Sequence, residues 1–264
     1  MQRSGIITLL TDFGHRDGYV AAMKGVMLGL DPAVELVDIS HEIEPQNVPA
    51  GAFILEAHFR YFPAGTIHLA VVDPGVGSAR AALACYAGGH FFVAPDNGLL
   101  DFCLSFSDLQ AVRLTQKKFW RETISSAFHG RDIFAPVAAH LARGESLHNL
   151  GEPFALQRKL LPLQCQIEGK VLQGQIAYID RFGNLISNIS EQQLREFAKS
   201  QTVTVTLAGH LIGGLNKTYA EVPPNAPLAL IGSFGFLEIG VNLGNAQLHF
   251  GARRGTPIAI ELES

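Results

Sequence analysis

An aspartate, an arginine and a histidine are the residues of this chain best suited to activate a water molecule. Asp73 and Arg80 lie seven residues apart in the segment VDPGVGSAR, and His129 lies in FHGRD. A carboxylate or an imidazole can accept a proton from water, and a guanidinium can stabilise the developing hydroxide. Each residue also has an ordinary explanation on local sequence alone: a turn aspartate before proline, a surface cation and a loop histidine.

A second carboxylate, Asp12, follows a short apolar strand predicted over residues 6–10. Its two oxygens can accept hydrogen bonds from the vicinal hydroxyls of a ribose, and α/β sheets bind ligands beyond the carboxyl ends of their strands. A helix N-cap or a turn explains an aspartate at this position equally well. The histidines show no paired metal-ligand spacing, so the sequence predicts no metal site.

Polar side chains also follow predicted strands in the second half of the chain. Asp180 and Asn184 lie in DRFGN, and an Asn amide can pair with both an acceptor and a donor on a purine edge. Ser233 and Glu238 lie in SFGFLE, which combines a hydroxyl, two aromatic rings and a carboxylate. An ordinary turn beside aromatic core residues is the alternative for both segments.

Strands alternate with helices in the first part of the chain. Helical spacing is found over residues 19–30, 48–59 and 133–143, and short apolar runs between these segments have the composition of strands. This alternation predicts an α/β domain over residues 1–150 with a largely parallel central sheet.

The pattern changes after a predicted linker over residues 151–164. From residue 165 to residue 264, short strands alternate with Gly-, Asn- and Pro-rich turns, and only residues 191–199 show helical spacing. Residues 248–250 are predicted as one of the strands. We therefore expect a smaller all-β, barrel-like domain at this end of the chain.

Composition argues against several classes of function. The 264 residues carry a net charge of -4 without any block of like charge, which disfavours binding to nucleic acid or to an anionic membrane. No apolar run approaches the roughly 20 residues of a membrane span. Three cysteines without CxxC spacing predict reduced, mostly buried thiols. These features together predict a cytoplasmic protein.

Six segments resemble, in order, the S-adenosylmethionine hydrolase (adenosine-forming) family, which is related to the S-adenosylmethionine-dependent fluorinase and chlorinase. The resemblance implies an α/β domain followed by a β-barrel, and a homotrimer in which one chain's N-terminal domain faces a neighbour's C-terminal domain across each active site. It also implies hydrolysis of S-adenosyl-L-methionine to adenosine and L-methionine without a metal or cofactor. The six segments are residues 7–14, 71–80, 94–98, 128–132, 179–188 and 233–245.

The resemblance further implies a role for each candidate residue. Asp73, Arg80 and His129 match the water-activating residues of the hydrolases. The resemblance to the halogenases implies a tyrosine in those enzymes at the position of Asp73. At the position of Phe234, the resemblance implies an arginine in the halogenases, which would pair with the methionine carboxylate. Phe234 cannot form this pair, so the partner of the carboxylate is not assigned. The substrate contacts that the resemblance implies are Asp12 at the ribose, Asn184 at the adenine, Val241 along the adenine pocket, and Asp180, Ser233 and Glu238 near the methionine portion.

Two other functions stay open at the level of sequence. A halogenase would convert S-adenosylmethionine and chloride to 5′-chloro-5′-deoxyadenosine. A non-catalytic regulator would bind adenosine or S-adenosylmethionine and leave it intact. A methyltransferase is disfavoured, because Thr11-Asp12-Phe13-Gly14 stands where its Gly-rich loop is expected.

Overall fold

The computed structural model describes residues 3–161 and 165–263. The chain divides into two compact units, Met1–Leu161 and Pro162–Ser264. Of the predicted linker, Gly151–Pro153 forms a strand in the sheet of the first unit. Residues 162–164 of that linker lie outside the described residues, as do residues 1, 2 and 264 of the two predicted domains.

The first unit is built on a seven-stranded sheet with the strand order β2-β1-β3-β5-β4-β6-β7. Apolar side chains of β1 and β3 and of helices α1 and α3 form a buried core on the sheet. The bounds of the elements are β1 (Ile6–Thr11), α1 (Tyr19–Leu30), β2 (Glu35–Ser40), α2 (Val48–His58), β3 (Ile67–Val71), β4 (Ala82–Ala87), β5 (His90–Pro95), β6 (Gln110–Leu114), α3 (Ala135–Ala142) and β7 (Gly151–Pro153).

This sheet is mixed, which corrects the prediction of a largely parallel one. Strands β2, β1, β3 and β5 pair in parallel, but β4 pairs antiparallel with β5 and β6, and β6 pairs antiparallel with β7. Gly88 and Gly89, both at positive φ, connect β4 to β5. Two residues can close only an antiparallel hairpin, since a parallel pair needs a crossover of a dozen residues or more.

The register of the parallel strands determines where the candidate residues emerge. Thr11 at the end of β1 pairs with Val71 at the end of β3. Adjacent strands lie about 4.8 Å apart. Asp12 and Asp73 therefore leave the sheet at the same edge, on neighbouring strands.

The second unit carries one sheet with the strand order β12-β11-β15-β9-β10-β14-β13, to which β8 adds beside β9. Its named strand pairs are antiparallel, and a bridge between Leu215 and Ala229 links the two ends of the path, so the sheet is barrel-like and nearly closed. The bounds of its elements are β8 (Gln166–Glu168), β9 (Val171–Ile179), β10 (Leu185–Ser190), α4 (Glu191–Ala198), β11 (Val203–Leu207), β12 (His210–Gly213), β13 (Pro227–Ile231), β14 (Phe236–Val241), α5 (Ala246–Phe250) and β15 (Pro257–Leu262).

Helices α4 and α5 make this unit more than an all-β domain, in contrast to the prediction. The helical spacing over residues 191–199 is confirmed by α4, which begins with a capping box at Ser190. The strand predicted over residues 248–250 is wrong, because these residues belong to α5. The side chain of Asn245 accepts a hydrogen bond from the Leu248 amide, and Gly251 ends the helix in a left-handed conformation.

None of the helices in the described part of the chain is long and apolar enough to cross a membrane.

Candidate active site

A tight loop between β3 and β4 carries Asp73 and Arg80. The Val76 amide donates to the Asp73 carbonyl, and the Ser78 amide donates to the Gly75 carbonyl, at 3.2 and 3.1 Å. Gly77 has a φ of +78°, and a Cβ at this position would lie 2.6 Å from the Ser126 carbonyl oxygen. Only glycine fits such a close approach, so the loop folds back and packs against the segment that leads to His129.

Asp73, Arg80 and His129 meet in one hydrogen-bonded cluster. Arg80 binds both carboxylate oxygens of Asp73, with its Nε 2.7 Å from Oδ1 and its Nη2 on Oδ2. The same Nη2 lies 3.1 Å from Nδ1 of His129. The side chains of Asp73 and Arg80 are only 5% and 10% exposed, so their charges interact in a medium of lower dielectric constant than water.

The geometry defines the tautomer of His129. A guanidinium has only donors, so Nδ1 of His129 must accept the hydrogen bond from Arg80, and the neutral ring carries its hydrogen on Nε2. Burial lowers the pKa of His129 below its ordinary value, and the nearby positive charge of Arg80 lowers it further. His129 is therefore neutral at pH 7.

Asp132 fixes the segment that presents His129. Its buried carboxylate accepts hydrogen bonds from Arg121 Nη1 (2.9 Å), the Ser125 amide (2.8 Å) and both Nε (2.7 Å) and Nη2 (2.9 Å) of Arg131. Burial alone would raise the pKa of Asp132, but the hydrogen bonds from Arg131, Ser125 and Arg121 lower it to about 2. The network ties the loop of residues 121–129 to the π-helical turn Gly130–Phe134, which contains Asp132.

Asp12 lies at the same edge of the sheet, in a loop held by its neighbours. Its Oδ2 accepts a hydrogen bond from the Gln46 amide at 2.7 Å. Thr11, immediately before it, has its Oγ1 2.8 Å from Nδ1 of the buried His41. The ring of Phe13, immediately after it, packs edge-on against Phe128 with the centroids 5.9 Å apart. The Asp12 loop and the His129 segment are thus joined through adjacent aromatic residues.

Asn97 is a positioning residue for which the sequence predicts only a turn. Its Nδ2 donates to the carbonyl of Val72, the residue before Asp73, at 2.8 Å. The amide thereby fixes the backbone from which the carboxylate projects. Its place within one of the six family-like segments was the only sequence signal for this role.

A cavity of about 340 Å³ opens beside Arg80 and His129. Its wall includes Arg113, Trp120 and Ile124. The buried Nε1 of Trp120 has no hydrogen-bond partner among residues 3–161 and 165–263. Because one water occupies about 30 Å³ in the liquid, the cavity can hold several waters next to the cluster.

The second unit places Asp180 and Asn184 together in the turn between β9 and β10. Oδ1 of Asp180 accepts from the Phe182 and Asn184 amides at 2.8 and 2.9 Å, and its Oδ2 accepts from Nδ2 of Asn184 at 2.9 Å. Gly183 has a φ of +83°, and a Cβ there would lie 2.2 Å from the side chain of Asn245. The turn is therefore tightly packed and depends on glycine.

Glu238 lies on β14 and is almost completely buried. It accepts a hydrogen bond from the hydroxyl of Tyr219, a residue for which the sequence gives no specific signal. Burial raises the pKa of Glu238, and the negative charge of Asp180 raises it further. Ser233 lies in the turn between β13 and β14, and Val241, at the end of β14, is buried.

The predicted site residues thus form two groups, one in each unit. Asp12, Asp73, Arg80 and His129 lie in the first unit, at one edge of its sheet. Within residues 3–161 and 165–263, no three His, Cys, Asp or Glu side chains are grouped so as to hold a metal ion. The members of the second group are Asp180, Asn184, Ser233, Glu238 and Val241.

Comparison with known proteins identifies the family. Residues 7–151 match the model of the SAM hydroxide adenosyltransferase N-terminal domain, and residues 174–259 match that of the corresponding C-terminal domain. The chain belongs to the SAM hydroxide adenosyltransferase family. The resemblance found in the six segments is thereby confirmed.

The relatives of this family member include proteins of two named activities. An (R)-S-adenosyl-L-methionine hydrolase of Salinispora arenicola is 39% identical over 245 residues, which is 91% of each chain. One from Thermus thermophilus is 35% identical over 96% of this chain and 98% of its own. A fluorinase of an Actinoplanes species is 27% identical over 97% of each chain. The crystal structure of an uncharacterized conserved protein from Thermotoga maritima superposes with a TM-score of 0.90 at 33% identity, covering 96% of this chain and 99% of that one.

Proposed function

We propose that this protein hydrolyses S-adenosyl-L-methionine to adenosine and L-methionine. The observation that carries the proposal is the cluster of Asp73, Arg80 and His129. It combines a proton acceptor, a fixed positive charge and a neutral imidazole at one point. The identity of the substrate is inferred from the names of the hydrolases in the same family, which are similar over nearly the whole chain.

The reaction is a displacement at C5′ of the ribose. The oxygen of water forms a bond to C5′ while the C5′–S bond breaks. The electron pair of the broken C5′–S bond remains on sulfur. The sulfonium thereby becomes the neutral thioether of methionine, so the leaving group needs no proton. The difficulty lies in the nucleophile, because water must be held in line with the breaking bond and must lose a proton.

Asp73 is the residue that accepts this proton in our proposal. Nδ1 of His129 is occupied by the hydrogen bond from Arg80, and its Nε2 carries a hydrogen, so the ring has no free acceptor. Each carboxylate oxygen of Asp73 accepts from Arg80 and keeps a further lone pair. Arg80 stabilises the negative charge that develops on the water oxygen. General-base assistance of this kind typically contributes about 10²- to 10⁴-fold.

The remaining residues bind the parts of the substrate. Asp12 holds the ribose hydroxyls, Asn184 pairs with the adenine, and Val241 lines the adenine pocket. Asp180, Ser233 and Glu238 hold the methionine portion. The negative charge of Asp180, which raises the pKa of Glu238 further than burial alone, contributes a negative potential that suits the ammonium of the amino acid.

The proposal includes the (R) configuration at sulfur, following the names of the similar hydrolases. It requires no metal or cofactor, since displacement of a sulfonium by water needs neither. We also propose a cytoplasmic location, where buried thiols such as Cys85 and Cys103 stay reduced.

We further propose that the protein is a homotrimer with active sites at its subunit interfaces. Three large apolar side chains near the Asn184 turn support a subunit contact: Phe182, Leu243 and Leu248 are 74%, 84% and 80% exposed. Sedimentation equilibrium of the purified chain tests this. A species of three times 28.5 kDa is expected, and a monomer at micromolar concentration would contradict the assembly.

An activity assay separates this function from the two alternatives. The protein is incubated with each sulfonium epimer, with and without chloride, and the products are followed by liquid chromatography. Adenosine and methionine in equal amounts are expected, with the (R) epimer consumed faster, and Asp73→Asn should slow the reaction at least 100-fold. 5′-Chloro-5′-deoxyadenosine would indicate a halogenase, and bound but intact substrate a regulator.

A further inference from the structure

The amide of Asn184 is held in one orientation by a carboxylate. Nδ2 of Asn184 lies 2.9 Å from Oδ2 of Asp180, and a carboxylate can only accept. The nitrogen of the amide must therefore face Asp180, and its oxygen must face away. In most surface asparagines the two ends can exchange, but here the exchange would place two acceptors against each other.

The surrounding turn keeps Asn184 from moving away from Asp180. The Asp180 amide donates to the Asn184 carbonyl at 3.1 Å, and the Asn184 amide donates to Oδ1 of Asp180 at 2.9 Å. The carbonyl of Gly183 accepts from the Gln247 amide at 2.9 Å, which ties the turn to α5. Asn184 is only half-buried, so the residue is in part accessible from solvent.

This orientation determines which groups Asn184 can offer. Its Oδ1 is an acceptor, and the second hydrogen on Nδ2 is a donor. A 6-aminopurine presents a matching pair, with the N6 amino group as donor and N7 as acceptor. A 6-oxopurine presents two acceptors, O6 and N7, and the oxygen would face Oδ1 of Asn184.

We propose that Asp180 is a specificity-determining residue that selects 6-aminopurine over 6-oxopurine substrates by orienting Asn184. This inference rests on the proposed function, in which Asn184 binds the base. It gives Asp180 a role besides any contact with the methionine portion, since its Oδ2 keeps one lone pair beyond the three hydrogen bonds within the turn.

The test compares S-adenosylmethionine with its 6-oxo analogue, in which the base has been deaminated. The ratio of the two kcat/KM values is the readout, because general damage to the protein or to the methionine site affects both substrates alike. One mismatched amide–base pair costs about 1–3 kcal/mol, so the wild-type protein should prefer the amino substrate by about 5- to 150-fold. Equal hydrolysis of the two would overturn the inference while leaving the proposed function intact. Hydrolysis of neither would overturn the proposed function itself.

The decisive variant is Asp180→Asn. Its new carbonyl oxygen still accepts from the Phe182 and Asn184 amides, which leaves the new NH₂ group facing the side chain of Asn184. Asn184 must then turn its oxygen toward residue 180, which places its NH₂ against the position-6 substituent of the base, where the 6-oxo group accepts a hydrogen bond and the 6-amino group does not. The preference should shrink at least tenfold or reverse, whatever happens to the absolute rates.

Two further variants keep the test decisive. Asn184→Ala removes the amide, so the ratio should approach unity even if Asp180→Asn fails to fold. Phe182→Leu changes the exposed neighbour in the same turn and should slow both substrates equally. An unchanged ratio in Asp180→Asn or in Asn184→Ala would refute the orienting role.

Discussion

Replacing His129 with asparagine separates a positioning role from a role as proton acceptor. The Oδ1 of asparagine is attached to Cγ as Nδ1 is in histidine, so it can accept the hydrogen bond that Arg80 now donates over 3.1 Å. Glutamine places its amide one carbon further from the backbone, where Nε2 lies in histidine. Leucine has a similar volume and offers no acceptor. None of the three can take up a proton near neutral pH.

The structure sets the expected size of each effect. His129→Asn keeps the acceptor and loses the ring contacts and the Nε2–H, so kcat should fall by about 3- to 10-fold, equivalent to about 0.5–1.5 kcal/mol. His129→Leu loses a hydrogen bond from a charged donor, worth about 1.5–3 kcal/mol, and kcat should fall by about 10- to 150-fold. If the imidazole were the base, both variants would lose about 10²- to 10⁴-fold.

The assay measures kcat and KM for S-adenosylmethionine between pH 5 and pH 9. Protonated His129 cannot accept a hydrogen bond from Arg80, and burial together with Arg80 depresses its pKa below 6.5. Wild-type activity should therefore persist below pH 6.5 before it declines, and His129→Asn should lack the part of the decline due to His129. The reasoning is refuted if His129→Asn is as inactive as His129→Leu, or if His129→Gln is more active than His129→Asn.

Three further perturbations test other parts of the structure. His68 is fully buried, with its Nδ1 2.8 Å from Oγ1 of Thr8. Burial lowers the pKa of His68 from 6.5 to about 3. Below pH 6.5 the histidine therefore becomes protonated in the unfolded chain but stays neutral in the folded protein. The free energy of unfolding should thus fall by about 2 kcal/mol more between pH 7 and pH 5 in the wild type than in His68→Phe, and equal losses in urea titrations would contradict this. Gly183→Ala should be destabilised by about 1–3 kcal/mol more than Gly209→Ala, because both glycines have φ near +83° but only at Gly183 would the added Cβ meet a neighbour, the side chain of Asn245 at 2.2 Å. Similar midpoints in thermal melts would count against the clash. Asp132→Asn should lower kcat at least tenfold with little change in KM, since it loosens the loop that presents His129, and a change confined to KM would be the opposite of this expectation.

The sequence predicted most of the helices and the strand ends that carry Asp12 and Asp73, because these depend on local pattern. Periodicity located α1 and α2, and turn residues beyond apolar strands located Asp12 and Asp73. The antiparallel direction of β4 differs from the prediction, although Gly88-Gly89 between two apolar runs is a hairpin signal. Residues 248–250 are apolar enough for a strand, but the cap at Asn245 and the glycine at 251 make them helical.

Contacts between distant segments were beyond the reach of a single sequence. Asn97 holds the carbonyl of Val72, 25 residues away, and Tyr219 donates to Glu238, 19 residues away. Neither partner is indicated by spacing or composition. The same holds for the hydrogen bond between Arg80 and His129, which joins segments 49 residues apart and determines the tautomer of the ring.

The central claim is that water attacks C5′ of S-adenosylmethionine at the cluster of Asp73, Arg80 and His129. The most direct test is a single incubation in ¹⁸O-labelled water, followed by mass spectrometry of both products. We predict one ¹⁸O atom in the 5′-hydroxyl of adenosine, unlabelled methionine and at least 100-fold less labelled adenosine from Asp73→Asn over the same time. Unlabelled adenosine, or methylthioadenosine in place of adenosine and methionine, would contradict the account.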